Sequence, residues 1–154
     1  MYTTRVSRRV NASRAAVYRA LLDADAVARC RVPTGMRSEV HTFEAHEGGV
    51  FRVSLTYDVP SATGKSEAHT DTYHGRFAEL VPDERVVEVL EFETADPALR
   101  GEMVMTTELS DVDGGTEVVI VHEGVPDVIP VADNETGTRM ALENLALLVE
   151  SAGR

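Results

Sequence analysis

The sequence predicts an α+β fold: a curved antiparallel sheet of about six to seven strands around one long C-terminal helix, with two short helices after the first strand. Three observations carry this expectation. Apolar residues recur at period two through most of the stretch from residue 37 to residue 123, broken by glycine and proline turns. Apolar residues recur at the helical period from about 133 to 151. A short helical pattern with good caps sits between residues 13 and 29.

The elements follow in order. Residues 3–10 (TTRVSRRV) favour a polar edge strand. Ser13 can cap the free amides of the next turn, and Ala16, Val17, Tyr18, Ala20 and Leu21 follow at helical spacing. Asp23 caps a second short helix, about 24–29, which Pro33 and Gly35 end. Residues 37–45 lead to the Gly48-Gly49 turn. Phe51, Val53, Leu55 and Tyr57 then alternate with polar residues, so this strand buries one face. Pro60 to Lys65 reads as a loop, and residues 67–80 as a long strand with His69, Asp71, Tyr73 and Phe77 at period two. Pro82-Asp83 is a turn, and residues 85–93 a strand apolar on both faces. After a loop at 95–99, Met103, Met105, Thr107 and Leu109 alternate, and Asp113-Gly114-Gly115 closes a hairpin onto residues 116–123. Pro126 and Pro130 end the sheet, and Asp133 or Asn134 is the expected cap of the last helix. Consecutive strands with short links form an antiparallel meander. Such a sheet curls, and one helix can fill its concave side.

The 154 residues fit one domain, 1–154, without repeats or linkers. No apolar run is long enough to span a membrane, the N-terminus lacks a secretory apolar region, and the lone Cys30 excludes an internal disulfide. The expected location is the cytoplasm. Fourteen of fifteen basic residues are arginine, a bias typical of a GC-rich bacterial genome. The net charge of −11 argues against a nucleic-acid partner. That charge is uneven. Residues 1–37 hold eight arginines against two aspartates, a local +6, and the remainder holds −17. The arginines either pack against acidic strands or rim a site for an anion.

Several stretches resemble the activator-of-heat-shock-protein-90-ATPase homologue-like family of the START-like, helix-grip superfamily. They are ASRAAVYRAL (12–21), EGGVFRV (47–53), GRFAELVPDERVVEVLEF (75–92), the GGT turn (114–116) and GTRMALENLALLV (137–149). They span nearly the whole chain, and none is a catalytic signature. The resemblance implies a ligand-sized cavity between sheet and C-terminal helix. It also places tryptophans where this chain has Cys30 and Thr138, and the chain has no tryptophan at all. Two small residues there imply either a wider cavity or neighbours that close the gap.

No metal is expected, since the pairs His41/His46 and His69/His74 are five apart and point to opposite strand faces. No cofactor motif or nucleophile elbow occurs. Strand parity nominates the lining of the cavity. If Phe77 points inward, so do Tyr73, Asp71 and His69. Glu88 follows Phe92, and His122 follows Val118 and Ile120. The expected lining is Phe51, Val53, Leu55, Tyr57, His69, Asp71, Tyr73, Phe77, Glu88, Phe92, Met103, Met105, His122, Thr138, Met140 and Ala141. Arg29, Cys30 and Arg31 are expected at the mouth, and Arg29, Arg31 and Arg37 would form a positive rim for an anionic ligand. The same aromatic and Met residues serve equally well as plain core. Cys30 between two arginines reads either as a lowered-pKa thiol or, preferably, as a small buried apolar group.

Three functions fit. The preferred one is binding of an apolar or amphipathic small molecule, without catalysis. A cyclase or dehydratase would need an ionisable pair, His69 with Asp71 or Glu88 with His122, meeting inside the cavity. A chaperone-linked interaction module would need an exposed apolar or charged patch. A homodimer through a strand edge is compatible with the pattern.

Overall fold

The computed structural model describes residues 1–32, 35–57 and 70–152. Seven strands form one antiparallel sheet: β1 (Tyr2–Val10), β2 (Met36–Phe43), β3 (Val50–Tyr57), β4 (Thr70–Val81), β5 (Arg85–Phe92), β6 (Met103–Val112) and β7 (Gly115–Val125). Their spatial order is β1-β7-β6-β5-β4-β3-β2, so β2 to β7 form a meander and β1 closes onto the last strand. Two short helices, α1 (Arg14–Leu21) and α2 (Ala24–Cys30), follow β1, and the long α3 (Val131–Ala152) ends the chain. This is the helix-grip arrangement that the pattern predicted. The loop expected at Pro60–Lys65, the start of the strand expected from 67, and His69 lie outside the described residues.

Local chemistry explains the joints. The Ser13 hydroxyl accepts from the Ala16 amide at 3.1 Å, and the Asp23 carboxylate accepts from the Ala26 amide at 3.0 Å. Each satisfies one of the first-turn amides that have no partner within the helix. Gly114 turns the β6–β7 hairpin at φ 80°, a conformation that costs other residues. Gly75 has a different reason. A Cβ there would lie 2.2 Å from the Val89 carbonyl oxygen and 2.9 Å from the Phe51 ring, so only glycine lets these strands and that ring close.

Two details depart from the expected boundaries. The 95–99 segment contains a 3-10 turn, Pro97–Leu99, capped by Asp96. The last helix starts at Val131, earlier than a cap at Asp133 or Asn134 would allow. The Pro130 carbonyl accepts from the amides of both Asp133 and Asn134, at 3.0 and 3.1 Å. Pro130 therefore starts the helix, and Asn134 falls inside it.

One hydrophobic cluster fills much of the sheet's concave side. Val10, Val17, Phe77 and Val118 are fully buried, and Ala146 and Val149 of α3 join the same cluster. Phe77 meets Phe43 edge-on with ring centroids 5.5 Å apart, and Phe51 at 5.2 Å. Such aromatic contacts add roughly 0.5–1.5 kcal/mol each to the area they bury.

Candidate ligand site

Register, rather than sequence proximity, assembles the site. Across the concave face, Thr4 on β1 pairs with His122 on β7, His122 with Met105 on β6, Met105 with Glu88 on β5, and Glu88 with Phe77 on β4. These five side chains form one row across five strands. Phe77 is in the packed cluster at one end, while Met105 and His122 face an opening.

That opening is a pocket of about 730 Å³ between the sheet and the first half of α3. Its volume is in the range that holds a drug-sized molecule. Of the expected lining, Leu55, Tyr57, Asp71, Tyr73, Phe92, Met103, Met105, His122, Thr138 and Ala141 face it. Phe51, Val53 and Phe77 do not; they are buried in the cluster behind it. Met140 is half-buried and off the wall, and Glu88 is buried and off it too. The structure adds Leu21, Met36, Leu99, Thr107, Asn134 and Leu142, with the Val128–Pro130 segment at the end of the sheet. Thr107 and Leu142 were already inward by their periodicity, but face alone does not tell pocket from core.

The three residues expected at the mouth separate. Arg29 is exposed and off the pocket wall. Cys30 is 2% exposed and belongs to the core cluster. Burial pushes its thiol pKa up and outweighs the opposing charge of Arg29, so it is not an activated nucleophile. Arg31 turns inward. Its side chain is only 19% exposed, and Nη1 donates to the Glu88 carboxylate at 2.5 Å. Nη2 lies 3.0 Å from the Met105 sulfur. Arg37, the third arginine expected on a rim, is exposed and off the wall.

Arg31 owes this direction to the end of α2. Its amide bonds to the Val27 carbonyl as the helix C-cap, and the Asn144 side-chain amide donates to the Val32 carbonyl at 3.0 Å. The second bond ties the chain after α2 to α3. The guanidinium then lies across the row, over Met105. Burial works against its charge, but Glu88 and Tyr73 outweigh this and hold its pKa above the usual arginine value. Burial raises the Tyr73 phenol, Arg31 opposes the rise and Glu88 adds to it.

Glu88 and His122 do not meet. Met105 stands between them in the row, and Glu88 bonds to Arg31 instead. His122 is 7% exposed, and its pKa is lowered to about 4, first by burial and then by the charge of Arg31. Its Nδ1 lies 3.1 Å from the Asn134 side-chain nitrogen. The Thr4 hydroxyl donates to the Asn134 side-chain oxygen at 2.6 Å, which orients the amide. With the amide so placed, its nitrogen donates to Nδ1, and neutral His122 carries its proton on Nε2. Nε2 is buried and has no hydrogen-bond partner among the described residues. Among the described residues no group of three or more His, Cys, Asp or Glu is arranged to hold a metal ion.

The relatives agree with this architecture. A family model described as activator of Hsp90 ATPase homolog 1-like protein matches residues 11–150. A crystal structure of a Chromobacterium violaceum protein is 34% identical, with a TM-score of 0.85 and 96% of each chain covered. A Rhodobacter sphaeroides protein shares the fold at 21% identity, with a TM-score of 0.79 over 97% of this chain and 93% of that one. The solution structure of an AHSA1-like protein from Aeromonas hydrophila does so at 17% identity, with a TM-score of 0.73 over 99% of this chain and 94% of that one. None of the curated proteins compared with the chain matches it. With its motifs, its helix-grip topology and a family match over most of its length, the chain belongs to the activator of Hsp90 ATPase homolog 1-like protein family.

Proposed function

We propose that this protein is a single binding unit, residues 1–154, that holds one apolar or amphipathic small molecule between its sheet and the first half of α3. The observation that carries this reading is the pocket of about 730 Å³, whose wall is mainly Leu, Ile, Met and aromatic side chains, with polar groups such as Arg31, Asp71, Thr107, His122 and Asn134 set among them. A large apolar concavity with a few convergent polar groups is the usual form of a small-molecule site. The methionines Met36, Met103 and Met105 suit an adaptable wall.

The chemistry of the polar groups favours binding over catalysis. A general base works best with a pKa near the operating pH, and His122 at about 4 is far from it. Glu88 is engaged by Arg31. An interaction module of the kind the family name suggests has less support. Among the described residues the exposed large apolar side chains are few: Met1, Val50 on β3, Val128 after β7, and Val131 and Leu147 on α3.

Native mass spectrometry tests the proposal. The protein is expected to take up one equivalent of a neutral alkylated naphthalene at micromolar concentration. A protein that takes up none, or many without saturation, contradicts it.

A further inference from the structure

Resting on that reading, we infer that the ligand carries an oxygen acceptor on its apolar body, and that His122 Nε2–H and the Arg31 guanidinium receive that oxygen at the pocket wall. Three observations lead there. First, His122 is more than nine-tenths buried, lines the pocket, and has no partner for Nε2 among the described residues. A buried N–H without an acceptor is rare because it forgoes a hydrogen bond that water would have supplied. Second, that proton is held on Nε2 by built structure. Thr4 fixes Asn134, and Asn134 donates to Nδ1, so a chain from β1 through α3 to β7 fixes one buried donor in the residue wall of the pocket. Third, Arg31 approaches the same row from the other side of Met105. Its charge is felt at His122, while Nη1 and Nη2 are directed to Glu88 and the Met105 sulfur. A guanidinium has five N–H groups, so donors remain for a further acceptor.

The two donors define the ligand's chemistry. Both present N–H, and a ligand N–H or hydroxyl hydrogen would meet repulsion, whereas a carbonyl or carboxylate oxygen completes the set. The Arg31–Glu88 pair is neutral as a unit, so a neutral carbonyl is accepted without an unpaired charge. A carboxylate would draw on the Arg31 charge more strongly. These are two sources of one acceptor chemistry, and the test separates them.

Three dimethylaminonaphthalenes, identical except for a propionyl, propyl or propanoate substituent, are titrated by fluorescence into the intact protein. The ketone is expected to bind about tenfold tighter than the propyl compound, the worth of one well-formed buried hydrogen bond. If the propanoate is tighter than the ketone the acceptor is anionic, and if weaker it is a neutral carbonyl. In His122→Phe the preference for oxygen should fall to about threefold or less. Because that variant also strands the Asn134 amide, the wild-type nitrogen resonances of His122 give a second readout. Nε2 should shift with the ketone and not with the propyl compound. Equal affinity of ketone and propyl compound, an unmoved Nε2 signal, or an undiminished preference in folded His122→Phe overturns the inference and leaves the apolar pocket standing. Failure of all three compounds to bind overturns the pocket reading as well.

Discussion

The two halves of α3 lie over the same sheet but over different interiors. The C-terminal half sends Ala146 and Val149 into a closed cluster with Val10, Val17, Phe77 and Val118. The N-terminal half, with Asn134, Thr138 and Ala141, roofs an open pocket, and Leu142 and Leu145 border both interiors. Both halves are built from the same alternating strands. The difference lies in what stands opposite: the rings of Phe43, Phe51 and Phe77 packed against one another at one end, and wall side chains such as Tyr57, Met105 and His122 around open space at the other. A packed interior gains from every contact, whereas a pocket wall gives up contacts on one side and keeps space for something else.

Truncation should separate the two halves most sharply. Phe77→Ala empties a fully buried site between Phe43 and Phe51, and a loss of about 3–5 kcal/mol in urea unfolding is expected. Met105→Ala removes a comparable side chain from the pocket wall and should lose less, about 1–2 kcal/mol, because no new enclosed cavity forms. Equal losses would mean that the two interiors are packed alike.

The polar row comes next. Glu88→Gln leaves the Arg31 charge without its partner in a largely buried place, and about 3 kcal/mol of stability should go with it. Restoring neutrality in the double variant Arg31→Met, Glu88→Gln should recover part of that loss, as a double-mutant cycle reads directly.

A pH series sharpens the comparison further. His122 titrates near 6.5 when unfolded and near 4 when folded. Between those values the unfolded chain binds more protons, so stability falls as pH drops through that window. The loss attributable to His122 is about 3 kcal/mol from pH 7 to pH 4. The dependence should flatten by that amount in His122→Phe relative to wild type, measured by denaturant unfolding at each pH. No flattening would show that His122 is solvated in the folded protein.

Much of this was legible in the sequence, for reasons that particular residues make clear. Period-two alternation put Tyr73, Glu88 and His122 on the inner face because a strand offers only two faces. Ser13 and Asp23 announced the two short helices through cap chemistry that is local in sequence. Depth along a strand is not local. Parity could not tell Phe51, in the cluster, from Tyr57 on the same strand, on the pocket wall. The direction of Arg31 depends on the Asn144–Val32 bond, which spans 112 residues, so it read as a rim charge. Asn134 read as a helix cap because the Pro130 carbonyl that starts the helix leaves no side-chain signature. The two positions where the family resemblance places tryptophans diverge in the same way. Cys30 is sealed in the core, while Thr138 faces the pocket.

Thr138 therefore gives the most direct test of the central claim, that the first half of α3 roofs a space that a ligand fills. Its hydroxyl bonds back to the Asn134 carbonyl, at 2.9 Å, within its own helix, so the position tolerates replacement better than the core does. In Thr138→Trp, an indole entering the pocket should weaken binding of the neutral naphthalene ketone at least tenfold, with stability changed by about 1 kcal/mol or less. Undiminished affinity in a stable Thr138→Trp protein would contradict the account.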